Sequence, residues 1–202
     1  MEQRSDDWFN ARLGKVTASR LADVLATIKT GESASRRNYR IQLVCERMTK
    51  KKADGFQNEH TERGIELEPI AISSYEALQG VFVEPVGFVI HPTIKMSGAS
   101  PDGLVGDDGQ IEVKCPTPAN HIDTILSGKP PSKYIPQMQW QMACTGRKWC
   151  DFVSYSAEFG NEDCSLFVTR VFRDNDFIAE AEKAVIQFLD EVDKQILQLR
   201  GK

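Results

Sequence analysis

The chain has 202 residues, 41% hydrophobic and 27% charged, which is ordinary globular composition in a length sufficient to bury a core of its own. Disorder, collagen, a coiled-coil rod and a mucin-like stalk are excluded, and no run approaches the roughly 18 apolar residues of a membrane span. Net charge is −4, from 25 basic and 29 acidic residues, so bulk charge gives no reason to expect nucleic acid and a basic patch would have to be local.

Met1 to Asp7 is polar and carries no apolar signal core, so a soluble, cytoplasmic protein is expected. The first 80 residues read as helical. Trp8 is taken as a packing residue ahead of a base-stacking one. Thr17 or Ser19 can cap a helix through Leu21, Val24 and Leu25. A second helix is expected over 35–52, with Tyr39, Leu43, Val44 and Met48 near one face. Its Arg36, Arg37, Arg40 and Arg47 read first as a solvated face and second as a DNA-backbone contact. A third helix runs from about Asn58 to Leu78 and stops at Gly80, with Pro69 kinking it or starting a new turn.

From Val81 the texture changes to strands: 81–83, 88–90, 104–105 and 111–114. Asp107-Asp108-Gly109 signals a hairpin turn between the last two. Thr117-Pro118 then opens a helix ending at Gly128, and another spans 132–145 before Gly146. Residues 149–156 and 166–172 are two more strands. Asp174 caps a final amphipathic helix. The expected fold is α/β: one domain over 1–202, a mixed central sheet flanked by helices, with a helical N-terminal part.

Five scattered cysteines without a CxxC pair imply reduced thiols, in keeping with a cytosolic setting. They also lack the four ordered positions of an iron–sulfur site. His60, His91 and His121 have no zinc spacing.

The informative segment is Ser100-Pro101-Asp102-Gly103, followed by Ile111-Glu112-Val113-Lys114-Cys115. Strand alternation puts Glu112 and Lys114 on one face and Ile111 and Val113 on the other. If the turn folds Leu104 back on Ile111, Asp102 lies beside that strand. Two carboxylates so close repel unless a cation sits between them. Hard oxygen donors without Cys or His favour Mg²⁺, with Mn²⁺ a possible substitute. Lys114 would orient a nucleophilic water, or help take its proton if its pKa is lowered. An Asp followed by Glu-x-Lys across a hairpin is a metal-dependent nuclease pattern. The competing reading is a surface hairpin with ordinary charges; the apolar flanks and the Ser-Pro-Asp-Gly entry weigh against it.

Five ordered blocks resemble the lambda exonuclease and YqaJ-like recombination exonuclease family of the PD-(D/E)xK superfamily. They are Asp7-Trp8 through Arg12 to Ser19, Gly64 to Pro69 with Ala71 and Tyr75-Glu76, Ser100 to Gly103, Glu112 to Pro116, and Tyr134 to Gln139. The resemblance implies a restriction-endonuclease-like fold. It implies that Asp102 and Glu112 ligate Mg²⁺ with the Val113 carbonyl, and that Lys114 acts on the attacking water. Glu68 matches a further acid, with Glu66 as fallback because residues two apart cannot share a helix face. Arg12, Ser19 and Ser100 match residues that hold the 5′-phosphate of the recessed strand, though Arg12 and Ser19 also fit a surface helix cap. Tyr134, Gln137 and Gln139 would act near the scissile bond; the two glutamines, at i and i+2, do not both face it. His91 is left out of the site.

The function so implied is a Mg²⁺-dependent 5′→3′ exonuclease on double-stranded DNA ends, leaving 3′ overhangs for recombination and releasing 5′-mononucleotides. A homotrimeric ring and a phage single-strand annealing protein are implied partners, and no membrane is. The alternatives are a restriction- or repair-type endonuclease and a non-catalytic DNA-end binding module.

Overall fold

A computed structural model describes residues 2–52, 62–160 and 164–201. The Ser5 hydroxyl accepts from the Trp8 amide and caps α1 (Asp6–Arg12). The helix expected after Thr17 or Ser19 is present but short: a two-residue strand, β1 (Val16–Thr17), leads into a 3-10 turn over 18–20 with Thr17 at its N-cap position, then one helical turn, α2 (Leu21–Val24). Val16 and Thr17 are both buried, and pairing their backbone with a neighbouring strand satisfies it where water cannot.

Ser33 caps α3 (Ala34–Thr49), which ends at Lys50 in the left-handed conformation. The third helix, α4 (Glu62–Gln79), runs through Pro69 as one element, so Pro69 does not start a separate turn. Pro69 is on the exposed side, where a carbonyl without its helical donor is hydrated. The expected helical residues 58–61 lie outside the described residues.

The strands are β2 (Val83–Glu84), β3 (Val89–Ile90), β4 (Ser97–Ala99), β5 (Gly103–Val105) and β6 (Gly109–Lys114). Then come α5 (Pro118–Ser127), a 3-10 turn over 132–134 and α6 (Ile135–Thr145). Last are β7 (Trp149–Tyr155), β8 (Leu166–Phe172) and α7 (Asn175–Arg200), the latter capped by the Asp174 carboxylate accepting from Phe177 N–H. The hairpin turn sits one step earlier than its Asp-Asp-Gly signal. Gly106 takes the left-handed φ of +52°, whereas Gly109 is already strand. A Cβ at Gly109 would fall 2.1 Å from the Trp149 ring, so close approach, not turn geometry, requires that glycine.

Among the described residues the strands form two mixed sheets where one was expected. The larger has the order β2-β5-β6-β7-β8, parallel only between β6 and β7; the smaller is β1-β4-β3, parallel between β1 and β4. One core gathers Val16, Leu21, Tyr39, Leu43, Trp140 and Phe188 from the N-terminal elements, α6 and α7. On one face of the larger sheet, α4 buries Ala71 and Tyr75 against Ile111, Val113 and Val153. On its other face, α6 buries Met138 and Met142 against Cys150 and Phe152. A polar clamp fixes α4: Tyr75 O–H donates to Asp151 Oδ2 at 2.8 Å, and Arg170 donates to both Asp151 oxygens. Among the described residues no helix is long and apolar enough to cross a membrane.

Candidate active site

The β5–β6 hairpin positions the acids. Gly103 pairs with Ile111 and the Asp102 amide donates to the Ile111 carbonyl, which sets Asp102 opposite Glu112. Asp102 Oδ2 accepts from Val113 N–H at 2.7 Å. The N–H and C=O of one strand residue point the same way, so the Val113 carbonyl also looks toward Asp102. Alternation sends Ile111 and Val113 into the core beneath α4, and leaves Glu112 and Lys114 on the face covered by α6.

Glu112 is buried and fully engaged. Lys114 Nζ forms an ion pair with its Oε1, Gln137 Nε2 donates to Oε1 at 2.6 Å, and Gln141 Nε2 donates to Oε2 at 2.5 Å. Lys114 Nζ also lies 5.3 Å from the Tyr134 ring centre, which brings Tyr134 to the site. Burial pushes the Asp102 carboxyl well above its ordinary range, the Glu112 and Glu68 charges add to this, and Lys114 opposes them. For Lys114, burial pulls downward, but Glu112 and Asp102 outweigh it and hold the ammonium above its usual range. The lowered lysine weighed from sequence is therefore corrected: beside two carboxylates, Lys114 is a firm cation.

Glu68 is half-buried on α4, while Glu66 is exposed. Glu68 is near enough to raise Asp102, and Arg4 Nη2 donates to its Oε2 at 2.5 Å. Gln139 departs from its expected place. It donates to the Phe172 carbonyl and accepts from Asp174 N–H, so it ties the end of β8 to the start of α7 and not to Glu112. Gln141, which sequence reasoning missed, stands where Gln139 was expected. Its signal was the i, i+4 spacing from Gln137, which puts both on one helix face.

Among the described residues no three His, Cys, Asp or Glu side chains gather into a closed metal cage. Two opposed carboxylates and a strand carbonyl form an open, all-oxygen donor set, the kind that suits a cation retaining several waters. The uncompensated repulsion felt by Asp102 is what such a cation would relieve, so these residues fit Mg²⁺ or Mn²⁺.

A cavity of about 520 Å³ has Arg4, Trp8, Arg12, Lys15, Thr17 and Ser19 in its wall, and Arg4, through its bond to Glu68, links it to the acids. The Arg12 guanidinium sits over the Trp8 ring at 4.0 Å. Trp8 is 4% exposed, and its Nε1–H donates to Ser100 Oγ at 2.8 Å. Arg12 and Ser100 are thus drawn together around one indole, and Ser19 lines the same cavity as Arg12 and Trp8. Buried Glu46 accepts from Gly14 N–H, and Thr17 N–H donates to Tyr39 Oη, which stiffens that wall. Lys50 to Lys52 line the same cavity. The α3 arginines serve elsewhere: Arg36 and Arg40 pair with Glu32 and Glu191, and Arg47 pairs with Asp193. His91 is buried against Trp140 and faces Glu182, outside the site.

The model of the YqaJ-like viral recombinase domain family matches residues 7–148. An alkaline exonuclease, LHK-Exo, from Laribacter hongkongensis is 50% identical, with a TM-score of 0.88 over 97% of this chain and 96% of that one. The same exonuclease in complex with dAMP superposes with a TM-score of 0.90 at the same identity and coverage. A phage-related exonuclease from Haemophilus somnus 129PT shares the fold, at 17% identity and a TM-score of 0.68 over 92% of this chain and 96% of that one. No curated protein sequence matches the chain.

Proposed function

The chain belongs to the YqaJ-like viral recombinase domain family, and from that premise we propose that it is a Mg²⁺-dependent 5′→3′ exonuclease acting on double-stranded DNA ends. It degrades one strand, releases 5′-mononucleotides and leaves a 3′ overhang for recombination. One observation carries the reading: Asp102 faces Glu112 and Lys114 beside a cavity that holds Arg12 and Ser19, with Ser100 joined to it through Trp8. A phosphodiester cleaved at the acids, one nucleotide from an anchored terminal phosphate, gives mononucleotide products. The 50% identity to a protein named as an alkaline exonuclease supports the same activity.

Asp102, Glu112 and the Val113 carbonyl would hold Mg²⁺, with Glu68 within reach of a second ion. When bound, the ion supplies positive charge against the phosphate and acidifies water. Gln137 and Gln141 keep the Glu112 carboxylate oriented. Lys114 Nζ donates hydrogen bonds to the attacking water or to a phosphate oxygen, and Tyr134 shields it from solvent. Arg12, with the hydroxyls of Ser19 and Ser100, binds the terminal phosphate as a charge-assisted cluster. By family resemblance the active form is a homotrimeric ring and the partner a single-strand annealing protein. The cytoplasm is the proposed location, where the five free thiols stay reduced.

Linear duplexes labelled at either end, incubated with Mg²⁺ or EDTA beside a closed circular control, test the reading. The expected result is Mg²⁺-dependent release of label from the 5′ end alone, with the circle intact. Cutting of the circle would instead identify an endonuclease.

A further inference from the structure

Arg4 occupies a position where an arginine is strained. Its φ is +70°, in the left-handed region that favours glycine. The chain around it is pinned to the acid site. Gln3 Nε2 donates to the carbonyls of Val86 and Pro101 at 2.9 and 2.8 Å, and Pro101 immediately precedes Asp102. Ser5 caps the helix whose Trp8 reaches Ser100. From this strap the Arg4 side chain spans the gap between the cavity and the acids. One edge of its guanidinium is tethered to Glu68, and the side chain lines the same cavity as Arg12 and Ser19. Its Nε is buried and has no hydrogen-bond partner.

A guanidinium offers five donors in a rigid fork that matches phosphate oxygens. With Nη2 held by Glu68 the fork is oriented, and the side chain, 32% exposed, presents its other donors to the cavity that it lines. The cavity wall already carries Arg12 and Lys15, and a second guanidinium suits a dianion better than a singly charged diester. The geometry points to Arg4 as a second guanidinium that grips the terminal 5′-phosphate of the digested strand from the acid side of the cavity, steadied there by Glu68. This rests on the exonuclease reading and names which strand end the site selects.

The test is equilibrium binding of 5′-phosphorylated and 5′-hydroxyl linear duplexes in EDTA, for wild type, Arg4→Gly, Arg4→Lys and Arg12→Ala. Glycine fits the left-handed backbone, so Arg4→Gly should fold as wild type does, which thermal melting checks. Wild type should prefer the phosphorylated end. Arg4→Gly should lose that preference on the order of tenfold, as expected for a charge-assisted contact, and Arg4→Lys should recover part of it. A preference unchanged in Arg4→Gly overturns the assignment while leaving the exonuclease reading intact. Equal weakening on both ends also overturns it, because Arg4 would then only place Glu68. A wild type blind to the phosphate, with Arg12→Ala no different, removes the phosphate pocket itself and Arg4 with it.

Discussion

Lys114 is held by Glu112 and Asp102 as a cation in the metal-free protein, so the role proposed for it is to donate and orient. Lys114→Ala should keep DNA affinity and lose about 10²- to 10⁴-fold in cleavage rate; steady-state turnover close to wild type would remove it from the chemistry. Asp102 carries the opposite strain. Burial, then Glu112, raises its pKa in the folded chain. The folded state therefore holds a proton more tightly than the unfolded one, and metal-free stability declines as pH climbs out of the ordinary carboxylate range. In EDTA, Asp102→Asn should melt above wild type at about pH 7, with the gap closing toward about pH 4; a lower melting temperature at neutral pH would contradict this. Glu112 and Lys114 were legible in sequence because strand alternation assigns their face, and Asp102 because the hairpin turn sets it beside them. Arg4 was not, since neither its φ nor the partner 64 residues away leaves a local signature.

Elements were legible where one face is apolar and the other polar. β6 and α7 show that pattern, and both lie where the sequence places them. β4 does not: Ser97-Gly98-Ala99 is small and unpatterned, yet all three are buried. A Cβ at Gly98 would stand 2.4 Å from the Phe88 ring and 2.6 Å from the Val89 carbonyl, so tight packing selected small residues over the β-branched ones that mark a strand. The glutamines of α6 repeat the lesson at finer grain: helical register, not motif membership, turned Gln141 inward and Gln139 away. For α4, the buried Tyr75–Asp151–Arg170 clamp keeps the helix, and with it Glu68, against the sheet. Tyr75→Phe removes a hydrogen bond to a buried carboxylate and should cost about 1.5–3 kcal/mol of stability in urea unfolding. A change within ±0.5 kcal/mol, the range of an ordinary surface substitution, would show that the clamp holds nothing.

At the scale of the molecule, the net charge of −4 conceals an uneven distribution. Arg36, Arg40 and Arg47 are neutralised by carboxylates within the chain, while basic residues from Arg4 to Lys52 gather around one cavity. Positive charge is therefore concentrated at one cavity, the pocket proposed to take the strand end, and not spread over the surface. The proposed ring requires a solution mass three times that of the 22.7 kDa chain; light scattering that reports a single chain would reject it.

The match to the family ends at residue 148, but the molecule does not close there. Phe188 stacks on Tyr39 at 5.6 Å, Val185 and Val192 complete the same core, and Asp193 steadies Arg47, whose Nε–H reaches the Gly14 carbonyl at the rim of the cavity. A fragment trimmed to the recognisable stretch would bare Tyr39 and Trp140 to water and loosen the rim. What identifies this protein is shorter than what folds it, and the last helix, silent in any catalytic signature, acts as the lid of the hydrophobic interior on which the wall of that cavity is built.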